Sequence, residues 1–398
     1  MSRKKRTYSA KKKDFFSNYL QTAPFSKITP PCHHFNTCGG CRFQDLDYQD
    51  QLQLKKDYLS SLNLSCSHIY PAKDIYGYRN RMDFLFLEGH FALRQRGSFD
   101  KFVILTHGCL LVPKQFHSLL KDIELALQKT QLSSYDLHTK KGFLRYVTFR
   151  FAPTTNQVLV FFSTNTPSSQ EEETFSSFLK NLSLKVTSIY WQINASLTDT
   201  AILTDKPIRL QLGSSFITEN INGLPFSYSP FCFFQNNTSM TNLAIEKMSP
   251  YIQGHVLDLC CGVGTLGLAL LKNTQGLTGI ELVEEAITYA KHNAQQHKAL
   301  KAKFFCTDAK NIINHSPTNI DTLLIDPSRS GLGKKTISRI LSLHPQTIVY
   351  LSCNPKSFSA DLKELDSHYE LLSLCAFDFF PQTPHIEILA VLKEKQLL

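Results

Sequence analysis

The chain has 398 residues, 42% hydrophobic, 19% charged and 11% aromatic, with 17 glycines and 17 prolines. At roughly 150 residues per domain this length predicts two or three domains with a core able to fold unaided, and the composition excludes disordered, collagen-like and coiled-coil chains. The net charge is +10, of which Arg3, Lys4, Lys5, Arg6, Lys11, Lys12 and Lys13 supply seven, and no apolar run approaches the roughly 18 residues of a bilayer span.

A cytoplasmic protein with no membrane partner is therefore expected. Residues 1–30, closed by Pro24, Pro30 and Pro31, lack apolar periodicity and predict a basic flexible arm. Its cations suit phosphate contacts with counterion release, and equally a solvated tail. Residues 31–231 predict a strand-rich α+β domain, with helical spacing over 49–62 and alternating or apolar runs at 82–87, 146–152, 158–163, 188–193 and 209–212. From 232 to 398 the texture changes to seven short apolar runs, at 255–259, 277–281, 302–306, 321–325, 347–352, 370–376 and 386–392. Helical stretches such as 284–296 and 356–365 separate most of the earlier ones. That alternation predicts an α/β domain with a doubly wound parallel sheet whose last two strands read as an antiparallel pair.

Asp258-Leu-Cys-Cys-Gly262-Val-Gly264-Thr265-Leu-Gly267 leaves the first of these strands and opens a helix. Glycines let backbone approach a ligand closely, and a helix N-terminus faces the same crevice. Glu281, ending the next strand, is placed to hold both hydroxyls of an adenosine ribose. A nucleoside-type cofactor follows. NAD fits the glycines, whereas an acid before them and an antiparallel finish to the sheet favour S-adenosylmethionine. Asp326-Pro-Ser-Arg329-Ser-Gly331 and Leu351-Ser-Cys353-Asn354-Pro355 follow later strands, at the carboxyl ends where such sheets bind ligands. Cys353 at a sharp turn reads either as a nucleophile, if its thiol is activated, or as a small core residue.

Phe234-Gln235-Asn236, Asp258-x-x-x-Gly262-x-Gly264, Asp326-Pro-x-Arg329-x-Gly331, Ser352-Cys353-Asn354-Pro355 and Phe380-Pro381-Gln382-Thr383-x-His385-x-Glu387 occur in one order. That order resembles the RNA 5-methyluridine methyltransferases over residues 32–392. The resemblance implies a class I S-adenosylmethionine-dependent fold, with a C-terminal seven-stranded Rossmann-like methyltransferase domain preceded by a smaller strand-rich domain. It implies that Cys353 adds to C6 of uracil and that Glu387 removes the C5 proton. It also implies that Gln235, Cys260, Thr265, Glu281, Asp308 and Asp326 bind the cofactor. Cys260 stands where the family usually has an aromatic residue.

Eleven cysteines without an export signal point to a reducing compartment, where clustered thiols serve metals or catalysis. Cys32, Cys38 and Cys41 surround Gly39-Gly40, and Cys109 follows later in the chain. Four such thiols suit a zinc ion or an iron-sulfur centre, with Cys66 or His107 competing as the fourth ligand. The spacing resembles the 4Fe-4S motif of the family's ribosomal branch, which implies ligation by Cys32, Cys38, Cys41 and Cys109 and 23S rRNA as the RNA partner. No uracil-RNA-binding barrel fits before Cys32, so the shorter type of member, acting as a monomer, is expected. Arg79-Asn80-Arg81 beside Tyr76 and Tyr78 interleaves cations and rings as single-stranded RNA binders do, and as a solvated strand edge does. The alternatives are a tRNA uracil-C5 methyltransferase, an NAD-dependent oxidoreductase with a redox cluster, or a non-catalytic RNA-binding protein.

Overall fold

Two β-sheets carry the chain, and the faces on which their strands are apolar decide what packs against each. The computed structural model describes residues 15–22, 25–317 and 319–396. The seven cations assigned to phosphate contacts lie outside these described residues. In chain order the elements begin with α1 (Phe15–Thr22), α2 (Tyr48–Ser60), β1 (Ile69–Tyr70), β2 (Arg81–Leu87), β3 (His90–Arg94), β4 (Phe102–Ile104) and α3 (His117–Thr130). There follow β5 (Leu144–Ala152), β6 (Gln157–Thr164), α4 (Ser169–Leu182), β7 (Ser188–Ile193), β8 (Leu210–Gly213), β9 (Ile217–Ile221) and β10 (Leu224–Tyr228). The remainder is α5 (Thr238–Met248), β11 (Gly254–Leu259), α6 (Thr265–Ala269), β12 (Thr274–Glu281), α7 (Glu284–Gln296), β13 (Ala302–Cys306), β14 (Thr322–Ile325), α8 (Lys334–Leu343), β15 (Thr347–Ser352), α9 (Pro355–Leu365), β16 (Tyr369–Phe377) and β17 (Glu387–Glu394).

The larger sheet runs β1-β16-β17-β15-β14-β11-β12-β13. Its neighbours are parallel except β17, which is antiparallel to both β15 and β16. A strand's period of two sends alternate residues to opposite faces. Val256, Leu324, Val349 and Leu351 meet α5, α6, α7 and the β9–β10 hairpin on one face. Leu257, Leu259, Leu323, Ile325, Ile348 and Tyr350 meet α1, α2, α8 and α9 on the other. The smaller sheet runs β4-β3-β2-β5-β6-β7-β8. One of its faces, with Phe149, Phe162 and Trp191, packs on α3 and α4. Leu159, Phe161 and Tyr190 face the opposite way, into the core shared with α5 and α7.

Two sequence expectations need correction. The arm through residue 30 is not structureless over Phe15–Thr22: that stretch is helical, and the Phe16 ring lies 5.6 Å from Phe43 and 4.7 Å from Tyr58. Phe15, Phe16, Tyr19 and Leu20 stand at helical spacing, a short stripe that apolar cover turns into a helix. The boundary at residue 31 also moves. α1, α2 and β1 belong with the larger sheet, where β1 pairs Ile69 with Ala376 and adds an eighth strand to the seven expected.

α2 shows why. Gln51, Leu54, Lys55, Tyr58 and Leu59 are its buried positions, an i, i+3, i+4, i+7, i+8 stripe with two polar residues on it. Lys55 donates to Asp378 and to the Phe380 carbonyl at 3.2 Å, with both charged side chains fully buried. Tyr48 donates to Asp378 at 2.9 Å. Gln51 and Gln382 bond each other twice, side chain to side chain and Gln382 amide to Gln51 carbonyl, each at 3.0 Å. The Arg42 and Phe43 amides donate to the Gln382 carbonyl at 2.7 and 3.0 Å. These bonds clamp the loop between β16 and β17. Burial pulls the Lys55 ammonium down and Asp378 opposes it. Removing one member of a buried pair strands the other charge, so Lys55→Met is expected to cost about 3–5 kcal/mol in urea unfolding. Lys55→Met with Asp378→Leu, which leaves no unpaired charge, should lose clearly less.

Candidate active site

The glycine turn after β11 is built from left-handed backbone: φ is +65° at Cys260, +55° at Gly262 and +80° at Gly264. The Cys260 and Cys261 amides donate to the Ile280 carbonyl at 2.8 and 3.0 Å, which ties the turn to the end of β12. Gly267 lets α6 approach: a Cβ there would stand 2.6 Å from Asp258 Oδ2, which accepts from its amide at 3.1 Å. Glu281, at the end of β12, accepts from the Gly262 amide at 3.2 Å and from Leu282 and Val283 at 2.7 and 3.0 Å.

A cleft of 610 Å³ opens beside this turn, at the carboxyl ends of the parallel strands. Gln235, Cys260, Glu281, Asp308 and Asp326 line it, as do Cys353 and Glu387. Thr265 does not line it; it opens α6 beneath the turn and is buried. Gln235 donates to Asp326 Oδ2 at 2.7 Å. The Asn80 side chain, itself buried, donates to the Gln235 carbonyl at 2.7 Å. Phe233, Asn236, Arg329 and Phe380 are also among its lining residues.

Strand register joins Cys353 to Glu387. β15 and β17 pair antiparallel, Thr347 with Lys393 through Ser352 with Ile388, so one step further Cys353 stands opposite Glu387. On the other side Glu387 pairs with Phe377 of β16. Asn354 caps α9 by accepting from the Lys356 amide at 3.2 Å, and its side-chain amide donates to the Arg329 carbonyl at 2.8 Å.

Charge is concentrated here. Burial and then Asp326 push the Glu387 carboxyl up to about 8, with Arg329 opposing. Its Oε2 is buried without a hydrogen-bond partner. Burial lifts Asp326 to about 7 against the Gln235 bond, and burial with Asp326 lifts Asp258 to about 8. Burial, Glu387 and Asp326 push the Cys353 thiol up to about 11, again against Arg329. His385 is driven down to about 4 by burial and by Arg329, Arg79 and Lys55.

Cys32, Cys38, Cys41 and Cys109 line a separate cavity of 330 Å³. Among the described residues no three His, Cys, Asp or Glu side chains converge closely enough to hold a metal ion as they stand. Cys66 is elsewhere, beside β1 and within the electrostatic reach of Cys375. His107 stacks on His33 at 4.2 Å. Of Arg79-Asn80-Arg81 and the neighbouring Tyr76 and Tyr78, read above as an RNA surface or a strand edge, Tyr78 and Asn80 are buried and the other three keep partial exposure; the Tyr78 hydroxyl donates to the Pro381 carbonyl at 3.0 Å. Arg79 lines the cysteine cavity and lies over the Phe380 ring at 6.0 Å. Sequence reading gave Arg329 no role, although its motif was in view.

The family model for tRNA (uracil-5-)-methyltransferases matches residues 173–395. An uncharacterized RNA methyltransferase of Caldanaerobacter subterraneus is 32% identical over 395 residues, covering 94% of this chain and 87% of the relative. The tRNA (uracil(54)-C(5))-methyltransferase of Pyrococcus abyssi is 30% identical over 367 residues, covering 92% and 86%. The crystal structure of that Pyrococcus abyssi activity, in complex with S-adenosyl-L-homocysteine, superposes with a TM-score of 0.76 over 89% of this chain and 86% of that one. Among the described residues no helix is long and apolar enough to cross a membrane.

The buried acids set a pH dependence of stability. A carboxyl whose folded pKa is raised keeps its proton when the unfolded chain has lost it, so stability falls as pH rises from the unfolded value toward the folded one. For Asp326 and Glu387 that window runs from 3.8 and 4.5 to about 7 and about 8. Asp326→Asn and Glu387→Gln are therefore expected to melt higher than the parent at pH 8, by about 2 °C or more, and to lose that advantage near pH 4. Scanning calorimetry of the ligand-free protein at the two pH values reads the difference.

Proposed function

The chain belongs to the tRNA (uracil-5-)-methyltransferase family and is an S-adenosylmethionine-dependent RNA uracil-C5 methyltransferase; from that premise we propose that Cys353 and Glu387 do the chemistry on the uracil ring. The observation that carries the reading is that the Ser352–Ile388 pair brings the adjoining Cys353 and Glu387 to one edge of the sheet, where both line one cleft together with Arg329. Family membership displaces the oxidoreductase and the non-catalytic RNA-binding alternatives.

C5 of uracil is a weak nucleophile. The Cys353 thiolate adds to C6 and the ring's double-bond electrons move toward C5 as an enolate. Bound S-adenosylmethionine supplies an electrophilic methyl group on a sulfonium cation. Glu387 then takes the proton from the methylated C5. The electrons of that C–H bond rebuild the ring double bond and expel Cys353 as thiolate. Cys353 holds its proton at neutral pH, because burial, and then Glu387 and Asp326, disfavour a negative charge there. A cation among these acids shifts the balance toward thiolate, as Arg329 already does in part. Gln235, Cys260, Glu281, Asp308 and Asp326 hold the cofactor, with Glu281 taking the ribose hydroxyls, while Thr265 supports the turn from beneath.

Cys32, Cys38, Cys41 and Cys109 hold a 4Fe-4S cluster in this reading. Its support is the shared cavity, whose 330 Å³ is roomier than one zinc ion with sulfurs at about 2.3 Å requires. Anaerobically purified protein should be brown, and Cys32→Ser or Cys109→Ser should bleach and destabilise it. Zinc without iron in elemental analysis would overturn the assignment. For the RNA, the relatives named for uracil 54 of tRNA cover more than nine-tenths of the chain and favour a tRNA uridine. The cysteine spacing is what favours 23S rRNA. Mass mapping of 5-methyluridine in both RNAs, from cells with and without the gene, decides between them.

The two catalytic roles separate cleanly. Glu387→Gln should still add and methylate but stall at elimination, leaving protein covalently joined to methylated RNA on a denaturing gel. Cys353→Ala should give neither adduct nor product. Adduct-free release by Glu387→Gln at the parent rate, or turnover by Cys353→Ala, removes that residue from the mechanism.

A further inference from the structure

The loop that carries Arg329 has few contacts of its own. It runs from Asp326 to Gly333 between β14 and α8, with Ser328 and Ser330 hydroxyls 2.8 Å apart and the Gly331 amide turned back to the Ser328 carbonyl at 3.0 Å. What fixes it lies behind it, on α9. The carboxylate of Asp361, a buried residue, accepts on one oxygen from the Leu332 amide at 2.9 Å and from the Tyr350 hydroxyl at 2.7 Å. Tyr350 belongs to β15, the strand that ends at Cys353, and its ring is fully buried. The fit is tight. A Cβ on Gly331, where φ is +76°, would stand 2.6 Å from that same Asp361 oxygen and 3.1 Å from Ser357 Cβ.

We propose that Asp361 is a positioning residue: by tying the Leu332 amide to β15 and α9 it fixes the Arg329 loop and so holds the Arg329 guanidinium beside Cys353 and Glu387. A side chain at 361 that cannot accept leaves the Leu332 amide without its partner and lets the loop move. The Asn354 side chain, holding the Arg329 carbonyl, is then the loop's remaining side-chain tether to α9. The inference rests on the roles given to Cys353 and Glu387, and its readout is chosen so that it does not need methyl transfer.

That readout is the titration of the Cys353 thiol, followed by iodoacetamide alkylation and site-resolved mass spectrometry across pH. The groups facing this thiol are Glu387 from β17, Asp326 from the end of β14 and Arg329 from the loop. Glu387 and Asp326 raise it and Arg329 lowers it, so displacing Arg329 moves alkylation to higher pH. A shift of one pH unit slows alkylation about tenfold at a fixed pH below the titration. Asp361→Ala should show such a shift, and Arg329→Gln should show it too. Asp361→Asn keeps a carbonyl oxygen that accepts both bonds and should titrate like the parent. Gly331→Ala pushes the loop off Asp361 while leaving the carboxylate in place, and it should match Asp361→Ala even if the latter folds poorly. Parent-like alkylation in Gly331→Ala, or in Arg329→Gln, overturns the proposal. Shifted alkylation alongside undiminished methyl transfer by Cys353→Ala would leave the positioning role standing and remove the catalytic assignment instead.

Discussion

The charge pair between Lys55 and Asp378 is fully buried, and it holds the start of the loop that leads to Glu387. Asp378 directly follows β16. The loop that begins there contains Phe380 and His385 and ends at Glu387. With only its two strand ends to hold it, such a loop would sample many conformations at a cost of roughly 1–2 kcal/mol per residue to fix. Lys55, Tyr48, Gln51 and the Arg42–Phe43 amides supply that ordering from the other end of the chain. A buried ion pair is weak evidence for net stability, but two buried charges whose partners all lie on α2, Tyr48 and this loop tolerate only one docking of α2 on the loop. The first part of the chain is therefore a component of the catalytic half, not an appendage to it.

The reversed direction of β17 does the rest. In an open α/β sheet the ligand lies at the carboxyl ends of the parallel strands, so the first residue of a parallel strand would be at the wrong edge of the sheet. β17 runs the other way, and its first residue, Glu387, reaches the same edge as the last residues of β14 and β15. Register matters as much as direction. A slip of one residue would turn Glu387 to the opposite face and put Ile386 or Ile388 in its place. β17 is hydrogen-bonded on both sides, to β15 and to β16, which leaves no freedom for such a slip.

Much of this was legible in residues. The seven apolar runs of the second half each became a strand, because buried strands are short, apolar and bounded by turns. β1, with two residues, carries no period to read. Gln51 and Lys55 on the apolar stripe of α2 signalled that something polar must meet them, but the partner of Lys55 is 323 residues away. In the cleft, Cys353 and Asp326 stand just after strands that the sequence marks, whereas Gln235 and Glu387 were expected there only through the family resemblance; all four line it. Thr265 stood at the right spacing, yet as the first residue of α6 it is buried and is not among the residues that line the cleft. Tyr78 and Asn80 mimicked an RNA surface because hydroxyl and amide groups that bridge elements internally have the same composition as groups that meet a ligand. Asp361 left no mark because it acts through a backbone amide, which has no sequence signature.

Four acidic groups in and beneath the cleft are costly to ionise. Asp258, Asp326, Glu387 and the Cys353 thiol are all shifted toward their protonated forms, each by burial first, and Asp326 then adds to the rise at the other three. A site used only for folding would discard such groups, since each raised carboxyl subtracts stability at neutral pH. Under the roles proposed for Cys353 and Glu387, the site holds a cationic methyl donor, forms a thiolate and then accepts a proton from carbon, and so needs these groups in opposite charge states at successive moments. Raised values near neutrality let Glu387 change state without a large barrier in either direction. Arg329 is the fixed cation in the cleft that opposes the rise at both Glu387 and Cys353. Its placement therefore governs both groups at once, and the bonds that fix its loop belong to the catalytic design as much as the reacting side chains do.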